Sequence, residues 1–156
     1  QVSQAFFGEY YDFVKGLHVL QAAMSRLAEP IELHMIGDWP IWDTGIHKVV
    51  HHGVIRDKMA LMAILDDCDV LLVPSLSEGM PTVILEAAAR GLPSIAADVG
   101  AVAEIVPRMN LIDAENVGEL TARLSSTLNE PDFIRIGKLF DFRQVANRTV
   151  HEMIDQ

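Results

Sequence analysis

Apolar positions along this chain follow two alternating patterns: short dense runs, and longer stretches where they recur every three or four residues. QAFFG (4–8), IELHMIG (31–37), KVVHHGVI (48–55), DVLLVPS (69–75), LPSIAAD (92–98) and NLID (110–113) are dense runs and predict strands. Helices are predicted between them. The first runs through VKGLHVLQAAMSRLAEP (14–30), with Leu17, Leu20, Met24 and Leu27 at helical spacing and Pro30 as its stop. Asp57 can cap KMALMAILDDC (58–68), and PTVILEAAARG (81–91) has Pro81 near its first position and Gly91 just past its end. A short helix at 101–106 and an amphipathic one at 117–130 follow, then two further helical stretches split near FDF (140–142).

Alternation of strand and helix, with no internal repeat, predicts an α/β fold: a doubly wound parallel sheet covered by helices on both faces. Ligands of such sheets sit beyond the carboxyl ends of the strands, at helix N-termini. That places the segment LSEGMP (76–81), between DVLLVPS and its following helix, where a ligand would be.

Gly79 lets backbone approach a bound group closely, and the free N–H groups of the helix starting near Pro81 suit a phosphate. Helix dipole and amides contribute roughly 0.3–1 kcal/mol at an exposed site, so a nearby cation is needed as well. Two carboxylates frame the segment. Glu86, inside an otherwise apolar helix, needs a partner: either Arg90, four residues on, or a pair of ligand hydroxyls such as those of a ribose. Glu78 is either a solvated loop residue or a carboxylate facing a bound sugar, where it would stabilise an oxocarbenium-like state.

Charge narrows the partners. The chain has 156 residues, enough for one domain with a sizeable core, and 22 Asp plus Glu against 12 Lys plus Arg give a formal charge of −10. No basic stripe is present, so a nucleic-acid surface is not expected, and an anionic ligand must be held by local devices. The single cysteine, Cys68, cannot form an internal disulfide and reads as a small core side chain, in keeping with a reducing, cytoplasmic setting. No apolar run reaches the ~18–20 residues of a membrane span.

The six histidines form no metal set: His51 and His52 are adjacent on a strand and point to opposite faces, while His18 and His47 show no partner in the sequence. Ser75 and Ser77 lack the G-x-S-x-G context of a serine nucleophile. Trp39 and Trp42, in the loop DWPIWDTG (38–45), either stack on a base or pack the loop down.

The run PSLSEGMPTVILEAAARGLPSIAADVGAVAEIV (74–106), with Glu78 and Glu86 as an E-x7-E pair, resembles the donor-nucleotide half of the glycosyltransferase group 1 family, which has the GT-B fold. FVKGLHVLQAAMSRL (13–27) looks like that family's lysine–glycine turn, IELHMIGD and VVHHGVI like its next two strands, and FDFRQVANRTVHEMI (140–154) like its closing helix. The resemblance covers about residues 6–154.

It implies a Rossmann-like, nucleotide-sugar (UDP- or GDP-sugar) binding domain of a retaining, metal-independent transferase without a cofactor. Carried over by position, Glu86 holds the donor ribose and Glu78 lies by the donor sugar as the catalytic carboxylate. Gly79, Met80 and Pro81 offer backbone near the diphosphate, and Lys15 supplies the cation. Gly8, Gly37, Gly53 and Val54 lie near the nucleotide, and Glu104 matches the family's final glutamate. Departures are Glu9 or Tyr10 where the family often has an arginine, Gly100-Ala101 in place of a glycine pair, and a shortened PRMNLID (107–113).

The resemblance implies a missing amino-terminal acceptor domain as partner, so the chain is expected to be a piece of a longer polypeptide, cytoplasmic or at the cytoplasmic face of a membrane. Rival readings are a non-catalytic nucleotide-sugar-binding module of the same fold, a nucleotide-sugar epimerase, and a doubly wound interaction domain with Glu86 bonded to Arg90.

Overall fold

The structure, a computed structural model, describes residues 13–129. The expected first strand at 4–8, with Gly8, Glu9 and Tyr10, and the closing helical stretches beyond residue 130 lie outside the described residues. Within them the order is α1 (Leu17–Arg26), β1 (Glu32–Ile36), β2 (Lys48–Gly53), α2 (Lys58–Asp67), β3 (Leu71–Val73), α3 (Thr82–Ala89), β4 (Ser94–Ala97), β5 (Leu111–Ile112) and α4 (Val117–Asn129). Short 3-10 turns at Val102–Glu104 and Arg108–Asn110 replace the predicted helix at 101–106 and precede β5.

Among the described residues the strands pair in parallel, and an isolated antiparallel bridge joins Gly37 to Gly53. β1 pairs with β2, and β3, β4 and β5 form a second ladder in that order. The strands are shorter than their apolar runs, because Pro74 and Pro93 cannot donate to a ladder and set limits beside β3 and β4.

The two faces of the sheet are read from β4, which is buried at every position. Ile95 and Ala97 point to one side, where Val19, Ala23 and Leu27 of α1 meet Leu120 and Leu124 of α4. Ala96 points to the other, against Ile84 of α3 and Val102, Ile105 and Val106. Farther along that side, Leu65 of α2 packs on Ala87 and Leu92. Helices therefore cover both faces, as the dense apolar strands predicted.

α1 presents a second apolar edge, Leu17, Leu20 and Met24, to Leu33 and Met35 of β1, with Trp39, Trp42 and Val49 packed on it. It ends at Arg26, four residues before Pro30, because Leu27 turns extended while its amide still reaches the Ala23 and Met24 carbonyls. His47 fastens this corner. Buried, it donates from Nε2 to the Met24 carbonyl (2.8 Å) and accepts at Nδ1 from the Ile31 amide (3.3 Å), which uses both nitrogens of a neutral ring. The sequence offered His47 no partner; folding supplies two backbone ones.

β1 and β2 carry a polar row on one face: Lys48, Glu32, His34 and His52. Glu32 bonds Lys48 Nζ (2.7 Å) and His34 Nε2 (3.0 Å), and His34 Nδ1 lies 2.9 Å from His52 Nε2. A register shift pairs Ile36 with Gly53 and leaves His52 unpaired in the ladder. Burial, and then the neighbouring His34, push His52 below its ordinary value of 6.5. A group whose value is lowered by folding stabilises the fold fully above its unfolded value and loses that contribution as the pH falls through the lowered one. The expected result is a melting temperature that declines from pH 7 to pH 5 more steeply in the wild type than in His52→Gln, followed by circular dichroism.

Candidate functional site

Three loops converge beyond the carboxyl ends of β3, β4 and β5: the turn 13–16 that opens α1, the segment 74–81 after β3, and 98–101 after β4. Backbone contacts lock them. The Leu76 amide donates to the Val14 carbonyl (2.8 Å) and the Ala101 amide to the Gly79 carbonyl (3.1 Å). Gly16 (φ +76) and Gly100 (φ +56) sit in the left-handed region, and an added Cβ would stand 1.9 Å from the Pro74 and Glu78 carbonyl oxygens respectively.

This lock brings Lys15 and Glu78, 63 residues apart in sequence, into a 2.7 Å ion pair. The same carboxylate oxygen, Glu78 Oε1, also accepts from the hydroxyl of Ser75 at 2.6 Å. Glu78 retains only 12% of its side-chain exposure, so it is not a solvated loop residue. Ser75, which sequence reasoning weighed only as a nucleophile, is buried. Its one signal was the S-x-x-E spacing to Glu78.

Gly79 and Met80 are exposed at the tip of the segment, and nothing lies within 4 Å of a Cβ built on Gly79. Pro81 is buried and takes the N-cap position of α3, so helical geometry starts one residue later, at Thr82. Neither α1 nor α3 has a side-chain cap at its start. The other two helices do: Asp57 accepts from the Met59 amide (2.9 Å) and Asn116 from that of Glu119 (3.1 Å). The uncapped starts are those beside Lys15 and Gly79.

Glu86 lies about one and a half turns into α3. Although the helix is apolar apart from Glu86 and Thr82, only Ile84 and Ala87 are fully buried in it, and Glu86 is half-buried. The predicted alternative of a bond to Arg90 is overturned. Arg90 forks onto both oxygens of Asp66 in α2, and that hydrogen bonding holds the Asp66 carboxyl below its usual range. A helix end aims Arg90 away from its own axis: Gly91 (φ +73) turns the chain, with its amide on Ala88 and that of Leu92 on Ala87, a Schellman closure. Among the described residues Glu86 has no hydrogen-bond or ion-pair partner.

Gly37, Gly53 and Val54 form a second group, at the carboxyl ends of β1 and β2. The Gly37 amide donates to the Gly53 carbonyl (2.8 Å), both glycines have positive φ, and Val54 is exposed. The tryptophans beside them pack the loop down. Trp39 donates from Nε1 to the Ile36 carbonyl (2.8 Å), and Trp42 meets His51 edge-on at 6.2 Å. His18, in the first turn of α1, stacks on Phe13 with ring centres 4.5 Å apart, and its Nε2 is 3.6 Å from Glu115 Oε1.

Glu104 is exposed in its 3-10 turn. Half-buried Cys68 packs beside Leu65, and burial, helped by Asp69, Asp67 and Glu32, pushes its thiol up. Among the described residues no three His, Cys, Asp or Glu side chains are grouped to hold a metal ion, and no helix is long and apolar enough to cross a membrane.

Known proteins resemble this chain in sequence and in fold. The sequence model of the family described as "Glycosyl transferases group 1" matches residues 3–130. The MMP alpha-(1->4)-mannosyltransferase of Mycolicibacterium hassiacum is 31% identical over 160 residues, which cover 88% of this chain and 39% of that protein. Among solved structures, sucrose-phosphate synthase from Thermosynechococcus elongatus superposes with a TM-score of 0.68 at 24% identity, over 93% of this chain and 43% of that one. The Anabaena protein Alr3699/HepE, solved in complex with UDP, gives 0.64 at 20% identity over 92% and 46%. Its complex with UDP-glucose gives 0.62 at 19% identity, with the same coverage. The chain thus spans less than half the length of these proteins.

Proposed function

Because the chain belongs to the group 1 glycosyl transferases, we propose that it is the donor-binding domain of a retaining, metal-independent glycosyltransferase that moves a sugar from a nucleotide diphosphate sugar to an acceptor. The observation that supports this most is the meeting of Lys15 and Glu78 at 2.7 Å beside two uncapped helix starts. A diphosphate placed there would face a cation, the free amides of α1 and α3, and the open backbone at Gly79. Those local devices answer the repulsion expected from a net charge of −10.

In this reading Glu86, unpartnered within the described chain, accepts the two ribose hydroxyls. Gly37, Gly53 and Val54 line the nucleotide. Glu78 faces the donor sugar, where its negative charge opposes the positive charge growing at the anomeric carbon as the glycosidic bond to phosphate lengthens. The leaving diphosphate gains negative charge at the same moment, and Lys15 with the helix amides is placed to take it up. No metal ion or cofactor is required by this charge balance. The acceptor and the exclusion of water belong to an amino-terminal half, so the chain by itself binds donor and transfers little.

The Anabaena protein solved with UDP and with UDP-glucose makes the uridine nucleotide the first to try. Titration of UDP, GDP and ADP and their glucose or mannose conjugates, with and without EDTA, tests the reading. Ligand at about a hundred times its dissociation constant adds roughly 2.7 kcal/mol, a rise in melting temperature on the order of 5–10 °C for a domain of this size. A rise with one base that survives EDTA is expected; no rise with any of them overturns the proposal. In the whole protein, the anomeric configuration of the product, read by NMR, checks retention.

A further inference from the structure

We infer that Ser75 is a positioning residue for Glu78: it fixes the carboxylate so that Oε2 is the oxygen turned toward the donor sugar. The inference rests on the donor-site reading above. Both polar contacts of Glu78 fall on one atom, since Lys15 Nζ (2.7 Å) and Ser75 Oγ (2.6 Å) each reach Oε1, and Oε2 takes no hydrogen bond among the described residues.

The two partners differ in how firmly they can hold. Lys15 has a long, flexible side chain that keeps 27% of its exposure, and an arriving diphosphate competes with Glu78 for its charge. Ser75 has one side-chain torsion and is 2% exposed. The backbone around it is pinned by the Leu76 amide on Val14 and by the close approach of Gly16 to Pro74. When the cation turns to phosphate, the serine hydroxyl is the contact that stays. Ser75 therefore does its work in the donor complex, holding one carboxylate oxygen so that the other cannot swing away from the sugar.

The test separates sugar recognition from nucleotide recognition. Calorimetric dissociation constants for UDP and UDP-glucose, with GDP and GDP-mannose as a second pair, define the affinity ratio contributed by the sugar. Ser75→Ala is expected to cut that ratio about tenfold and leave the nucleoside diphosphate within twofold, the loss of one charge-assisted hydrogen bond. Introduced into Glu78→Ala, which removes the acceptor, the same change is expected to add less than twofold, which shows that it acts through Glu78. Ser75→Cys, close in size and a weak donor, carries the same measurement if the alanine variant does not fold.

A sugar ratio unchanged in Ser75→Ala and Ser75→Cys, or an equal loss for nucleoside diphosphate and nucleotide sugar, overturns the inference and leaves the donor site standing. Absence of any nucleotide binding in the wild type overturns both.

Discussion

Glu86→Gln is expected to lower the affinity of the chain for its nucleoside diphosphate by roughly 100-fold or more and to leave its melting temperature unchanged. A carboxylate accepting two hydroxyls makes two charge-assisted hydrogen bonds, each worth about 1.5–3 kcal/mol. Glutamine keeps one acceptor and turns an amine toward the second hydroxyl, so the loss is about 3 kcal/mol, near two orders of magnitude in dissociation constant. Stability does not follow, because Glu86 is half-buried and bonds nothing among the described residues. The control is Arg90→Ala. It breaks the exposed pair with Asp66, so it is expected to leave both the melting temperature and the nucleotide affinity nearly unchanged. Isothermal calorimetry and thermal melts on the three proteins give the answer. If Glu86 served the fold instead, its variant would melt earlier and bind as before.

That contrast marks how far the sequence could be read. The alternation of dense runs and helical spacing was enough for a parallel sheet with helices on both faces, because burial on two sides favours apolar residues at successive strand positions, as in residues 95–97. The E-x7-E run pointed to a candidate ligand edge for a similar reason: glycine, proline and carboxylates in an apolar stretch are costly unless the backbone or a ligand uses them.

What stayed hidden depends on tertiary contact. Arg90 had a carboxylate four residues before it and another 24 residues before it, and spacing favours the first. The Schellman turn at Gly91 and the packing of α2 on α3 chose the second. Ser75 looked idle because its partner is a hydrogen bond away only after the 74–78 loop is folded. His47 and the His34–His52 contact likewise depend on which backbone groups and strands come to lie together, and on a register shift no periodicity announces. Strand ends were overrun by one or two residues, since apolar character continues past the last ladder bond.

Gly16→Ala should be, with Gly100→Ala, among the most disruptive small changes in the described residues. Alanine at φ +76 costs about 1–2 kcal/mol from the left-handed backbone alone. The new Cβ would also stand 1.9 Å from the Pro74 carbonyl oxygen, and that obstacle is backbone, not a side chain that can swing aside. The turn must move off the 74–76 loop, which breaks the Leu76 amide bond to Val14. The total is expected at roughly 3 kcal/mol or more, a fall in melting temperature of about 6–12 °C for a protein of this length. Lys15 moves with the turn, so nucleotide affinity falls in the fraction that stays folded.

Gly79→Ala is the counterpart. An added Cβ there meets nothing within 4 Å, so stability is expected to hold within about 0.5 kcal/mol. In the proposed donor site the methyl group would instead occupy the space a diphosphate needs beside the backbone, and affinity alone is expected to drop. One glycine is required by the protein's own packing and the other by the ligand it would hold. Melting curves taken with and without nucleotide tell them apart: Gly16→Ala lowers both curves, and Gly79→Ala lowers only the one with ligand. Equal behaviour of the two variants would mean that Gly79 is part of the loop lock and that the diphosphate lies elsewhere along the carboxyl edge.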